Sequence, residues 1–341
     1  MRKLILFVLI FCCAVPAPLM ASSSETSTGA ITLAFAGDVL LDGFVGDQID
    51  KYGVNYPFVK VETTLKKADM AFVNLETPVT VRGEPSDKMF VFRSKPASLG
   101  GLVYAGIDGV SLANNHILDY GPVGMLDTLI HLDKYKLGHT GAGKNSAAAF
   151  TPYIKTVQNK KIAVIGVSRV FSDPSWQADA NRAGAASAYR LDSMLGEIKK
   201  SSKANDFTIV YIHWNVEFMD YPEKSSRELA KKIIDSGADM IVGAHSHSLM
   251  GIEFYKHKPI YYSLGNFVFN RSTRGGDKTL NSMLLNVEIE GSKVTSRITP
   301  VKILAGQPNF MSDKYNQETI KLMNKLSYNA KIDSKGVVSE E

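Results

Sequence analysis

Short apolar runs and amphipathic stretches alternate along most of the chain. The runs ITLAFAG (31–37), MAFVNLE (70–76), DGVSLAN (108–114), KIAVIGVS (161–168), FTIVYIH (207–213) and DMIVGAH (239–245) are predicted strands. Their nearly continuous hydrophobicity suits strands covered on both faces. Between them, VGMLDTLIHLDKYKL (123–137), LDSMLGEIKKSSK (191–203) and SRELAKKIIDSGA (226–238) carry the spacing of helices with one apolar face. Pro122 suits the first turn of the first helix, and Gly237 the stop of the last. The alternation predicts an α/β domain. Farther on, EFYKHKPIYYSLGNFVF (253–269) and SMLLNVEIEGSKVTSRITPVKIL (282–304) resemble hairpin strands, the second turning at EGSK, so part of the sheet system is predicted antiparallel. A helix over 317–329 precedes a polar tail.

The opening residues, MRKLILFVLIFCCAVPAPLMA, run from a basic pair through an apolar stretch to Pro16, Pro18 and Ala21. That layout predicts a secretory signal peptide over 1–21, followed by a polar linker over 22–30, one large domain over 31–305 and a C-terminal helix and tail over 306–341. The protein is therefore expected to be exported, to the periplasm or the extracytoplasmic cell surface, with an uncleaved N-terminal anchor as the alternative. Cys12 and Cys13, the only cysteines, fall in that leader, so any metal of the mature chain must be held by His, Asp, Glu or Asn. Loss of Arg2 and Lys3 takes the formal net charge from +5 to +3. That is too mild to suggest a nucleic-acid partner.

Ligands of α/β sheets collect beyond the carboxyl ends of the strands. Here ITLAFAG ends in Asp38, MAFVNL in Glu76, VSLAN in Asn115 and His116, IVYI in His213, and MIVGA in His245 and His247. These oxygen and nitrogen donors suit zinc, manganese or iron, and such an ion polarises a substrate oxygen or activates water. In an extended segment His245 and His247 would point to one side. They would then bind one ion together, or be shared between an ion and the substrate. Of the seven histidines, His131, His139 and His257 have no such setting.

The stretches AGDVLL, NLETPVT, LANNHILDYG, IHWNVEF, GADMIVGAHSH and YSLGNFVF occur in this order from about Ile31 to Val301. In this the chain resembles the CapA family, named for poly-γ-glutamate capsule synthesis. The resemblance implies the four-layer αββα sandwich of the calcineurin-like metallophosphatases, with mixed sheets. It also implies one or two divalent ions (Mn, Zn or Fe) held by Asp38, Glu76, Asn115, His213, His245 and His247, with His116 as the catalytic imidazole. The sequence departs from the superfamily pattern in places. Leu40 stands where a ligating His is usual and Glu76 where the bridging residue is normally Asp. Within the family, Ala244 replaces a frequent further His, and Asn215 stands where HWG would be usual.

Ligating histidines and carboxylates need partners of their own. Asp119, three residues after His116, is a candidate to orient that ring, and Glu217, four after His213, to do the same there. Asn74, Asn114 and Asn266 are candidates to line the substrate pocket. Arg93, in DKMFVFRSKP, is a candidate to grip a carboxylate or phosphate. The expected function is that of an exported metal-dependent hydrolase or transferase acting on an anionic polymer or a phosphoester. The alternative is a non-catalytic accessory protein that binds the polymer or its membrane-bound synthase.

Overall fold

The computed structural model describes residues 29–341. The signal peptide expected over 1–21 lies outside the described residues, as does the linker up to residue 28. The strands are β1 (Ile31–Val39), β2 (Met70–Leu75), β3 (Gly109–Ser111), β4 (Gly138–Thr140), β5 (Ala142–Gly143), β6 (Tyr153–Val157), β7 (Lys160–Ser168), β8 (Gly184–Ala185), β9 (Phe207–His213), β10 (Met240–Ala244), β11 (Leu249–Tyr255), β12 (Lys258–Leu264), β13 (Asn266–Val268), β14 (Asn281–Glu290), β15 (Lys293–Leu304), β16 (Gln307–Phe310), β17 (Ala330–Ile332) and β18 (Val337–Glu340). The helices are α1 (Gly43–Tyr52), α2 (Glu62–Leu65), α3 (Leu99–Ala105), α4 (Gly121–Lys134), α5 (Ser146–Ala149), α6 (Leu191–Ala204), α7 (Lys224–Asp235) and α8 (Asp313–Leu326).

Two mixed sheets stack face to face. One runs β17-β18-β15-β14-β1-β2-β3-β4, with β13 joined to β1 and β16 to β15; the other runs β11-β12-β10-β9-β7-β6. Leu33, Phe35 and Phe72 of the first sheet meet Val164, Tyr211, Val242 and Tyr261 of the second in the central core. The intervening residues Ala34, Val73 and Val110 turn outward to Val45 of α1, Leu102 of α3 and Met125 of α4. On the far side Ile165, Val210 and Ile241 meet Met194 and Ile198 of α6 and Leu229 and Ile233 of α7. This is the four-layer αββα sandwich. It also explains the unbroken apolar runs, since both faces of these strands are covered.

Several elements differ from the sequence expectation. Helices α1 and α3 and strands β4 and β6 are not evident in the sequence pattern, because each is short and α3, LGGLVYA, lacks the polar positions that would mark a face. The C-terminal helix spans Asp313–Leu326 rather than 317–329, and the expected polar tail pairs onto the sheet through Ser296↔Val338. The turn at EGSK is as expected, with Glu290 opposite Lys293 and Gly291 at φ 61. No helix among the described residues is long and apolar enough to cross a membrane.

One irregularity positions the site. Along β1 the register with β2 passes from Phe35↔Phe72 to Asp38↔Asn74, so β1 carries one extra residue there. Such a bulge re-aims the side chain that follows it. Gly37 permits this because a Cβ at that position would lie 1.8 Å from the carbonyl oxygen of Gly265. Gly265, at φ 73, in turn lets the chain leave β12 in one sheet and enter β13 in the other.

Candidate metal centre

Asp38 lies near the end of β1, His213 ends β9, Glu76 directly follows β2, and His245 directly follows β10. Asn115 and His116 follow β3 after a short loop. Parallel neighbours in each sheet deliver these residues to one edge of the sandwich. There they form two potential ligand sets, Glu76 with His213 and His245, and Asp38 with Glu76 and His247. Glu76 belongs to both. Its Oε1 lies 3.6 Å from His213 Nε2 and 3.8 Å from His247 Nε2.

The donor set fits divalent cations. Both carboxylate oxygens of Glu76 and Nδ1 of His245 are buried without a hydrogen-bond partner among the described residues. Unpaired buried polar atoms are costly, and several converging at one point call for a compensating charge. Burial pushes the Glu76 carboxyl well above the usual range, with Asp38 and Glu217 adding repulsion. Burial likewise raises Asp38. The same desolvation holds His213 and His245 well below the ordinary imidazole value, helped by the neighbouring histidines. Neutral imidazoles are the form that ligates metal.

The two histidines of GAHSH are not in an extended segment. His245 and His247 have φ 94 and φ 53, so a tight left-handed turn and not strand geometry presents them. Nor do they act as one pair. His245 joins the set with His213, and His247 the set with Asp38.

The asparagines expected in the substrate pocket lie behind the ligands. Asn74 Nδ2 donates to Asp38 Oδ1 at 2.8 Å and stands 3.4 Å from His213 Nδ1, while its Oδ1 accepts from Asn114 Nδ2 at 3.1 Å. Asn114 also donates to the Leu75 carbonyl and accepts the His116 N–H. Asn266 Oδ1 accepts from His247 Nδ1 at 2.8 Å, which turns Nε2 of that ring toward Glu76. All three side chains are fully buried and hydrogen-bonded within the protein, Asn74 and Asn266 to members of the potential ligand sets and Asn114 to Asn74. Asn115 Oδ1 lies 2.9 Å from His213 Nε2, within the ligand cluster.

His116 is held from three sides. Its Nδ1 lies 2.8 Å from Asp119 Oδ2, and Phe92 stacks on the ring at a centroid distance of 4.3 Å. Lys88 Nζ lies 2.5 Å from Asp119 Oδ1, 3.2 Å from His116 Nδ1 and 2.7 Å from the Asn115 carbonyl oxygen. With the proton on Nδ1 donated to Asp119, the three donors of Lys88 are met by Asp119, the Asn115 carbonyl and Ser172 Oγ at 3.3 Å, so every donor has an acceptor. Nε2 is then left without a protein partner among the described residues. Lys88 and Phe92 had no assigned role in the sequence reading; only the basic and aromatic character of DKMFVFRSKP hinted at them.

Two further expectations change. Glu217 pairs with Arg274 at 3.0 Å and does not orient His213, whose ring nitrogens face Asn115 and Asn74. Arg93 lies outside the ligand cluster, on the wall of a separate cavity. Leu40 is buried and cannot ligate. Asn215 sits at φ 71, which accounts for the glycine usual there, since only glycine and asparagine adopt that conformation readily.

The strand ends of an αββα sandwich thus bring the expected donors into one cluster. The chain is 31% identical over 287 residues to the capsule biosynthesis protein CapA of Bacillus anthracis, covering 82% of this chain and 69% of that one. It is 32% identical over 328 residues to the PGA biosynthesis protein CapA of Bacillus subtilis, covering 93% and 83%. Among solved structures it is similar to a phosphatase of Mycoplasma pneumoniae, with TM-score 0.49 and 16% identity over 80% of this chain and 94% of that chain. The family described as bacterial capsule synthesis protein PGA_cap matches residues 32–271, and the chain belongs to that family.

Proposed function

We propose that the protein is an exported, divalent-metal-dependent hydrolase or transferase of poly-γ-glutamate capsule or cell-envelope polymer synthesis. The observation that carries this reading is Glu76, fully buried, without a hydrogen-bond partner among the described residues and shared by two potential ligand sets. Asp38, Glu76, Asn115, His213, His245 and His247 would hold one or two ions of Mn, Zn or Fe. Bound there, such ions would polarise a phosphoryl or carbonyl oxygen and make water nucleophilic near neutral pH. His116, with Nδ1 committed to Asp119, offers Nε2 to protonate a leaving group or to steady charge at the reacting centre. Phe92 shields one face of the ring from water. The names of the relatives, a capsule biosynthesis protein and a PGA biosynthesis protein, support a capsule polymer as the substrate, and the apolar run after Arg2 and Lys3 supports export.

A second reading is favoured by Leu40, which removes a usual ligand. In it the same crevice binds polymer or a membrane-bound synthase without chemistry. The deciding experiment measures turnover of oligo-γ-glutamate and of a generic phosphodiester by the mature chain in Mn-, Zn- or Fe-supplemented buffer. A parallel arm measures polymer production in cells carrying His116→Ala. Wild-type polymer yield from that variant, with no turnover in vitro, would leave the accessory reading standing.

A further inference from the structure

Next to the candidate metal centre is a cavity of about 400 Å³, lined by Asp42, Thr80, Val81, Arg93, Lys95 and Tyr120. It adjoins the centre through two chain segments. Phe92, the residue before Arg93, stacks on His116, and its N–H donates to Asp119, the residue before Tyr120. A ligand in this cavity would sit one residue away from the His116 unit on both segments.

Arg93 is fixed but uncommitted. Its backbone N–H donates to Asp42 Oδ2 at 2.7 Å, and its guanidinium lies over the Tyr120 ring, 4.3 Å from the centroid. Neighbouring cations have counter-ions: Arg82 is paired with Asp127, Lys88 with Asp119, and Lys95 with Asp50. Arg93 has no carboxylate partner among the described residues. Stacking covers the face of a guanidinium and leaves its edge, a planar fork of N–H donors, to meet an oxyanion. The Asp42 carboxylate on the same wall is engaged by the Arg93 N–H.

We infer that this cavity is a subsite for one carboxylate of an acidic polymer, gripped by Arg93 and leading the adjoining linkage toward His116. A γ-linked glutamate chain carries one free α-carboxylate per unit beside its backbone, and the cavity volume is of the size that holds small-molecule groups, about 300–1,000 Å³. The polymer class rests on the function proposed above; the grip itself rests on Arg93, Tyr120 and the cavity.

The test is calorimetric titration of the Mn-loaded full mature chain with an oligo-γ-glutamate at low salt, beside Arg93→Ala, Arg93→Lys and metal-stripped wild type. Arg93→Ala is expected to weaken binding about ten-fold or more at unchanged metal content. Arg93→Lys, which keeps the charge but not the fork, stays weaker than wild type, while metal-stripped wild type still binds and metal-stripped Arg93→Ala binds about ten-fold more weakly or worse. Equal binding by Arg93→Ala, or no binding by wild type, overturns the subsite. Equally tight, Arg93-dependent binding of a polyphosphate overturns the carboxylate class. If binding depends on Arg93 but no turnover is found in any metal buffer, the subsite stands and the hydrolase reading falls.

Discussion

Glu76 Oε1 lies 3.6 Å from His213 Nε2 in a fully buried setting where neither Glu76 oxygen is hydrogen-bonded among the described residues. Burial pushes this carboxyl well above the usual carboxylate range, and the chain folds around an unsatisfied polar group that a cation would satisfy. Saturating Mn or Zn is therefore expected to raise thermal stability, by about 2.7 kcal/mol at a hundred-fold excess over Kd. Glu76→Gln should abolish that rise and lower the metal content per chain, while shifting metal-free stability by no more than about 1 kcal/mol. Elemental analysis and melting curves with and without metal check this; an undiminished metal response in the variant would remove Glu76 from the site.

His116→Ala is expected to lower turnover by about 10²- to 10⁴-fold, the range for removing a positioned acid, with metal content unchanged. Asp119→Asn should lower turnover less, because the ring stays in place while its Nδ1–H loses a charged acceptor. Rates and metal content measured on the same preparations separate lost chemistry from lost ligation.

Lys88 carries a nearly buried ion pair with Asp119, its own side chain 15% exposed. Burial lowers the lysine's pKa, and Asp119 opposes that. Lys88→Met leaves Asp119 uncompensated and is expected to cost about 3 kcal/mol in denaturant unfolding. The double variant Lys88→Met/Asp119→Asn should lose less than the sum of the singles by about 1 kcal/mol or more. Simple additivity would show that the pair is not coupled.

Asp127 accepts from Arg82 and from Thr80 Oγ1, and the Arg82 guanidinium holds its carboxyl down at about 2. A depressed carboxylate contributes stability that is present above its unfolded value near 4 and lost as pH falls through about 2. Because Arg82 is largely exposed, the contribution after solvent screening is about 1 kcal/mol. The stability gap between wild type and Asp127→Asn should be full from pH 5 to 7 and close between about pH 4 and 2. A gap independent of pH would show that the ion pair is not its source.

Gly37→Ala places a Cβ against the Gly265 carbonyl at the β1 bulge, where only backbone could yield. Its expected cost is about 3 kcal/mol or more, with weakened metal binding because Asp38 is displaced. Melting curves and metal titration check both effects, and a variant as stable as wild type would refute the close approach.

Much of the site was legible because it follows from local pattern. Asp38, Glu76, Asn115, His213, His245 and His247 each stand where an apolar run ends, and such runs can be read without knowing their partners. Helices α1 and α3 are not legible, because ten residues give too few repeats to define a face and the seven of α3 carry no polar position to set against the apolar ones. The C-terminal hairpin of β17 and β18 was read as a tail because its strands are short, polar and at a sheet edge. The hydrogen bonds of Asn74, Asn114 and Asn266 are not legible, since a polar residue at a strand end gives no sign of which side chains it meets.

The sequence by itself determined the donor chemistry and the edge of the sandwich where it gathers, because parallel strands covered on both faces must be apolar until the residue at which they emerge. Only the tertiary structure decided that Glu76 is shared between two ligand sets and that His245 and His247 are divided by a turn. It alone brought Lys88 and Phe92 to His116 and set Arg93 in a cavity of its own. Those relations depend on sheet register, the bulge at Gly37 and the packing of loops distant in sequence. Hydrophobic periodicity, being local, carries none of that information.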